Sequence, residues 1–412
     1  MKKKASKFVT ELTRLIFPPY ARIRYGFKFQ KFKGIKPPCL VLCNHAATLD
    51  PIFVGYSFPF PINYVASDDL WRHKGLSRLL EFLIHPIRKS KSAADSRTVM
   101  DIISVIKQGG SVCIFPEGNR TMNGATVNIP DSVKKLVKKL RVTVALLNMK
   151  GGYFCDPRWS NTARRAAGRG RTRPTVELSR VITPEEQDLL DADALMDIIR
   201  ESLYYNAFDD QRGNPHRYRG KKLAEHIERV LFICPECKAM EMYSKGNFFG
   251  CRSCGLRVEY TEYAEFKRID GNAPLPPSVY EWDKWQIRYI TDTDYSEVGD
   301  GGVITEDENI ALFDITKNAR RDIIGKKGRL TLYKKELVYR YKKKGGEQKL
   351  AINLDDMDTV AIQGKTKLEI RTSDGQAYLF KPKPYVSSYK YMVLIFRLKA
   401  FNSGKEFDFY GI

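Results

Sequence analysis

Acid is scarce where base is dense. Residues 1–40 hold eleven Lys and Arg against one carboxylate, Glu11. Over the whole chain 70 Lys and Arg face 48 Asp and Glu, a formal net charge of +22. That imbalance calls for an anionic partner, either nucleic acid or an acidic membrane surface. Long apolar runs are missing. Nothing approaches the roughly 20 residues that a membrane-spanning helix needs. The basic N-terminus also lacks the apolar core and small-residue cleavage site of a secretory signal. A cytoplasmic protein is expected, peripheral on the inner face of the cell membrane if it acts on lipid. No disulfide framework stands out. Cys39, Cys43, Cys113 and Cys155 are scattered, three of them in apolar runs that read as buried strands. The other four cysteines have metal-ligand spacing.

What is present is ordinary globular material: 412 residues, 43% hydrophobic and 29% charged, enough for two or three domains. In the basic first 40 residues, Phe8, Leu12, Leu15, Ile16, Phe17, Tyr20, Ile23, Tyr25 and Phe27 are interleaved with the cations. That mix suits a helix lying in an anionic headgroup layer, or equally a solvated arm packed on the first domain.

From about residue 38 to 150 strand and helix patterns alternate. Cys39–Cys43, Ile62–Ala66, Ser111–Phe115 and Val142–Leu147 read as buried strands. Asp50-Pro51 reads as a helix start, with Asp at the N-cap and Pro at the first helical position. Leu76, Leu79, Leu80 and Leu83 have helical spacing. So do Val99, Ile102, Ile103 and Ile106, which Gly109-Gly110 terminates. Val133–Leu140 reads as a basic helix. The alternation predicts a mainly parallel sheet covered on both faces, with ligands at the carboxyl ends of strands.

Two motifs sit at such ends. Asn44-His45-Ala46-Ala47-Thr48-Leu49-Asp50 follows the first strand, and Phe115-Pro116-Glu117-Gly118-Asn119-Arg120 closes the third. A histidine with a carboxylate five residues on can form a general base and its orienting partner. His45 alone among the five histidines has such a partner after a strand; His73, His85, His216 and His226 do not. The same residues have simpler uses. Asp50 suits a plain N-cap, and Pro116 and Gly118 suit a type II turn with a surface salt bridge.

Together the motifs resemble the glycerolipid acyltransferase family, whose pattern is N-H-x-x-x-x-D followed by F-P-E-G-x-R. The resemblance covers about residues 1–220. It implies an α/β acyltransferase domain, a mixed and mainly parallel sheet with flanking helices. It implies transfer of a fatty acyl group from acyl-CoA or acyl-carrier protein to the hydroxyl of a lysophospholipid, above all 1-acylglycerol 3-phosphate. His45 and Asp50 would be the catalytic pair. Glu117, Gly118 and Arg120 would hold the acceptor, with Arg88 of Pro86-Ile87-Arg88 as a third element. This chain departs from the family at Ala47, where serine is common, and at Asn119, where threonine is common. It also has no proline in 142–147.

Within the region of resemblance, residues 158–173 carry Arg158, Arg164, Arg165, Arg169, Arg171 and Arg173 and no acid, which reads as a solvated loop near the site or the membrane in preference to a nucleic-acid arm. Cys234-x-x-Cys237 and Cys251-x-x-Cys254 are thirteen residues apart, the spacing of a four-thiolate ribbon closed around structural Zn2+. Pro274, Pro276, Pro277 and the glycines at 299–302 mark 263–305 as a connector. From about 306 the apolar period falls to two, as in Leu330/Leu332, Leu337/Tyr339/Tyr341, Leu368/Ile370 and Tyr378/Phe380. Gly345-Gly346 and Asp374-Gly375 mark hairpins. Tyr389, Val393, Phe396 and Ala400 mark a last helix. An antiparallel β domain closed by one helix resembles a pleckstrin-homology or GRAM-type module.

The expected order is therefore 1–230 acyltransferase domain, 231–262 zinc ribbon, 263–305 linker and 306–412 β domain. A rival reading, a non-catalytic zinc-ribbon protein binding lipid or nucleic acid, leaves both motifs as coincidences, so nucleic acid is disfavoured as a partner.

Overall fold

The computed structural model describes residues 6–67, 81, 85–89, 96–167, 174–271, 274–299, 301–317, 321–343, 345–407 and 409. The helix expected at Leu76–Leu83, His73 and the arginines Arg169, Arg171 and Arg173 lie outside them. The chain forms two compact units. One comprises Met1–Arg158, Thr162–Lys221 and Glu262–Ala264; the other comprises Trp159–Asn161, Lys222–Thr261 and Glu265–Ile412.

The first unit is built on strands β1 (Cys39–Cys43), β2 (Ile62–Ser67), β3 (Ile87–Lys89), β4 (Ser111–Ile114), β5 (Thr143–Lys150) and β7 (Thr175–Ile182), in the order β3-β2-β4-β1-β5-β7. A short hairpin pairs β6 (Arg165–Ala167) with β8 (Arg217–Arg219). Strands β1 to β5 run parallel and β7 is antiparallel at one edge. The expected mixed, mainly parallel sheet is therefore present. Every residue of β1, Cys-Leu-Val-Leu-Cys, is buried, because a parallel strand is covered on both faces. Leu40 and Leu42 face one core. It is filled from α4 (Ser96–Lys107) by Ile102, Val105 and Ile106, from α5 (Ser132–Leu140) by Val133 and Val137, and from α8 (Ala192–Leu203) by Leu195, Met196 and Ile199. Cys39, Val41 and Cys43 point to the other face by strand alternation and are equally buried.

Ahead of the sheet lie α1 (Lys7–Arg14) and α2 (Phe17–Tyr25), which ends on Gly26 at φ +74°. Helix α3 spans Asp50–Ser57, and the short helices α6 (Gly152–Cys155), α7 (Pro184–Leu189) and α9 (Ala207–Gly213) lie further along the chain. The N-cap of α3 is Leu49 and not Asp50. The Asp50 carboxylate is used elsewhere, as described below.

The register sets the site. Leu42 is level with Ile114 of β4, and Cys43 with Leu147 of β5. Residues following β1, β4 and β5 therefore emerge side by side on one carboxyl edge.

In the second unit β9 (Met242–Lys245), β10 (Phe248–Cys251), β11 (Arg257–Tyr260) and β12 (Phe266–Arg268) form a small antiparallel sheet. Seven antiparallel strands follow: β13 (Val303–Asp314), β14 (Asp322–Tyr333), β15 (Glu336–Lys343), β16 (Gly346–Asn353), β17 (Met357–Gln363), β18 (Lys367–Thr372) and β19 (Ala377–Lys381). Their order is β16-β15-β14-β13-β19-β18-β17, so β13 joins the two meanders. Helix α11 (Ser388–Asn402) follows them.

Within 263–305, read from sequence as a connector, the chain forms a 14-residue helix, α10 (Val279–Asp292). Ser278 caps it, its hydroxyl accepting from the Glu281 amide. Trp282 is fully buried and donates its indole N–H to the Ile233 carbonyl at 3.0 Å. The prolines stop short of the cap, so they do not interrupt the helix.

Candidate active site and metal centre

His45 lies two residues beyond β1. Its Nδ1 is 2.8 Å from Asp50 Oδ2, and its ring stacks on Phe115 at 4.3 Å between centroids. The same Asp50 oxygen accepts from the Ala46 and Ala47 amides at 2.7 and 2.8 Å. One wholly buried carboxylate oxygen thus gathers three donors, which fixes both the loop and the imidazole. A carboxylate facing Nδ1 selects the tautomer with the proton there. Nε2 is then left with its lone pair, the form a general base requires.

The second motif packs against this loop. Phe115-Pro116-Glu117-Gly118 closes a turn through the bond from the Gly118 amide to the Phe115 carbonyl, 3.0 Å. Glu117 does not take a positive φ; Gly118 does, at +71°. The turn has Pro at its second position and Gly at its fourth, a type I signature in place of the type II turn that the sequence also allowed.

Glu117 makes no surface salt bridge among the described residues. Its two oxygens accept from the backbone amides of His45 at 2.6 Å and Val127 at 3.0 Å. Burial pushes its carboxyl up to about 8, against the two amide bonds, which lower it, and with a smaller upward push from the nearby Asp50 carboxylate. The Thr121 amide adds a bond to the His45 carbonyl, 2.9 Å. Glu117 therefore braces the histidine loop, a different use from the acceptor contact expected of it.

Arg120 emerges at the far side of the turn with its side chain mostly covered. Nη1 donates to Asp156 Oδ2 at 3.2 Å and, more weakly, to the Asp156 carbonyl at 3.4 Å. Asp156 follows β5. Its Oδ2 also accepts from the Thr48 amide at 3.0 Å and from the Thr48 hydroxyl. Arg158 is buried and backs the turn, donating to the Arg120 carbonyl at 2.8 Å and to Asn119 Oδ1 at 3.3 Å. Arg164 is buried as well. The reading of 158–173 as a solvated loop thus fails for these two arginines, because turn carbonyls and side-chain oxygens take the place of water for Arg158. Asn44, between strand and histidine, accepts from the Met149 amide at 2.5 Å and ties β1 to β5.

The structure brings His45, Asp50, Glu117, Gly118 and Arg120 together. It sets Arg88 apart. Arg88 is exposed on the edge strand β3, level with Ala66 of β2. Strand β2 separates it from β4, so it stands about 10 Å from the Glu117 strand by sheet spacing. It shares the carboxyl edge but not the cluster. Asp156 had no motif to reveal it, and Arg158 was visible only as the first of the arginines of 158–173.

The four sulfurs of Cys234, Cys237, Cys251 and Cys254 lie within 4.8 Å of one another. Cys234 and Cys254 are 3.6 Å apart, and Cys237 and Cys251 are 3.7 Å apart. A tetrahedral ion with bonds of about 2.3 Å needs sulfurs about 3.8 Å apart. Each knuckle ends in the left-handed conformation, Lys238 at φ +64° and Gly255 at +79°. The thiolate set fits a four-coordinate metal, with no position left open for chemistry.

Residues 24–150 match the family model described as Acyltransferase. A 1-acyl-sn-glycerol-3-phosphate acyltransferase of Bacillus subtilis (strain 168) is 29% identical over 83 residues, 20% of this chain and 41% of that protein. The chain thus spans about two fifths of the length of the curated relative it matches. Among solved structures, the 1-acyl-sn-glycerophosphate (LPA) acyltransferase of Thermotoga maritima is similar at 17% identity and TM-score 0.36, over 47% of this chain and 76% of that one. The Vps36 N-terminal PH domain is similar at 16% identity and TM-score 0.20, over 24% of this chain and 81% of that one.

Proposed function

We propose that the acyltransferase-family domain of this chain esterifies a lysophospholipid, with 1-acylglycerol 3-phosphate as the acceptor and acyl-CoA or acyl-carrier protein as the donor. The observation that carries this reading is the His45–Asp50 pair, with Nε2 left to accept a proton, beside a cationic turn. The acceptor hydroxyl gives its proton to Nε2 as it attacks the thioester carbonyl. The new C–O bond forms, the C–S bond breaks, and the imidazolium returns the proton to the leaving thiolate. Asp50 holds the imidazole throughout and offsets its transient charge. Arg120 pairs with the acceptor's phosphate; among the described residues its Nε and Nη2 have no partner, so a fork remains for an anion. Glu117 and Gly118 shape the turn that presents it. Arg88 adds positive potential along the same edge.

The membrane surface is the second part of this reading. Phe8, Leu15 and Ile23 of the α1–α2 segment are 77, 74 and 73% exposed, and Arg22 and Arg24 lie beside them. Apolar side chains with flanking cations suit an anionic bilayer, which would place the enzyme on the cytoplasmic face. Among the described residues no helix is long and apolar enough to cross a membrane. Zn2+ at the four cysteines serves the fold of the second unit only.

The test is acyl transfer to lysophosphatidic acid in mixed micelles, with each thioester, for the wild type and the His45→Ala and Arg120→Ala variants. Turnover by the wild type and its loss in His45→Ala supports the reading. Full activity in His45→Ala removes it.

A further inference from the structure

We infer that Asp156 is a positioning residue that holds the Arg120 guanidinium in place for the phosphate of the acceptor. This rests on the acyltransferase reading above and deepens it.

The geometry is specific. Three neighbouring parallel strands, β4, β1 and β5, each send a loop over the same edge. Asp156 supplies the contact from the third. One of its oxygens meets the Thr48 amide, the Thr48 hydroxyl and Arg120 Nη1. An oxygen with three donors is no base, so proton transfer is not its role. It is a fixed anchor between the loop that follows His45 and the residue that ends the Glu-Gly-Asn-Arg turn.

A guanidinium on a long side chain samples many rotamers unless something holds one nitrogen. Asp156 holds Nη1 at its carboxylate and its carbonyl. The remaining donors then point from a fixed base, and an incoming phosphate does not have to order the side chain first. Arg158 does the same for the backbone beneath, through the Arg120 carbonyl and Asn119. His45 is secured separately, by Asp50 and by the Glu117 bond to its amide. Loss of Asp156 should therefore disturb acceptor binding more than proton transfer.

Steady-state kinetics against lysophosphatidic acid, with thermal unfolding of each variant as a folding control, tests this. Asp156→Ala should raise KM about tenfold or more while kcat at saturation changes less than about threefold, since uniform binding is what is lost. Asp156→Asn keeps an oxygen for Thr48 and loses the charge facing Arg120, so it should fall between. In an Arg120→Ala background Asp156→Ala should add little, because the two act as one unit. An unchanged KM in a folded, active Asp156→Ala variant overturns the positioning role alone. So does a loss confined to kcat, which would place the effect of Asp156 on the chemical step and not on acceptor binding. A wild type inert toward every lysophospholipid overturns the acyltransferase reading, and this inference with it.

Discussion

At the level of single side chains the site is a set of carboxylates spent on backbone amides. Asp50 Oδ2 holds two amides as well as His45, so replacing it disturbs both loop and base. His45→Ala should lower turnover on the order of 10²–10⁴-fold with acceptor KM little changed. Asp50→Asn should cost a comparable factor, because an amide does not enforce the tautomer. Steady-state assays check both. Glu117 gives a pH prediction. Its carboxyl is raised from 4.5 to about 8, so between those values the folded protein holds a proton that the unfolded chain releases. The stabilisation is complete below pH 4.5 and is lost as pH rises through 8. Thermal unfolding followed from pH 6 to 9 should fall with pH, and Glu117→Gln should flatten that slope. The Gln variant should also lose about 1–3 kcal/mol at pH 6, since its NH2 only donates and leaves one of the His45 and Val127 amides without an acceptor. A slope that persists in Glu117→Gln assigns it to another group. The His45–Asp50 pairing was legible because it is local, five residues along one loop. The Glu117 and Asp156 contacts were not, because their partners are backbone amides and an arginine distant in sequence, and every residue carries an amide.

At the level of elements, sequence patterns served where the period was clean and failed where punctuation outweighed a cap. Strands β1, β2, β4 and β5 and the two-residue period of β14, β15, β18 and β19 were readable, because each buries a continuous or alternating apolar face. The α10 helix was hidden behind Pro274, Pro276 and Pro277. The signal that could have found it is Ser278-x-x-Glu281, a capping-box spacing directly after the prolines. That helix leads to a prediction about the metal centre. The Trp282 indole is hydrogen-bonded to the carbonyl of Ile233, the residue before the first candidate ligand, Cys234. Protein prepared with zinc should carry one ion per chain, and a strong chelator or Cys251→Ser should change the Trp282 environment, read as tryptophan emission. Stoichiometric zinc with no emission change on removal would separate the metal from this helix. Absence of any bound metal in folded protein would remove the ribbon reading outright.

At the level of the whole molecule the decisive quantity is charge in combination with exposed apolar surface. A net charge of +22 attracts any polyanion, and on that basis alone DNA and an acidic bilayer are equal. They part company on the α1–α2 segment. Phe8, Leu15 and Ile23 offer nothing to a phosphate backbone and much to acyl chains, where each fully buried side chain gains roughly 1.5–3 kcal/mol. Binding to vesicles containing phosphatidylserine should therefore have two components. The electrostatic one weakens as salt shortens the Debye length from about 10 Å at 0.1 M to about 3 Å at 1 M. The apolar one survives salt. Replacing Phe8, Leu15 and Ile23 together by Ser should lower vesicle partitioning by more than about tenfold at 0.5 M salt, while leaving retention on an anionic column unchanged. Flotation of both proteins through a density gradient measures this. Partitioning that vanishes with salt in the wild type, or is untouched by the triple substitution, would assign the membrane attraction to charge alone and free α1–α2 from any role in it.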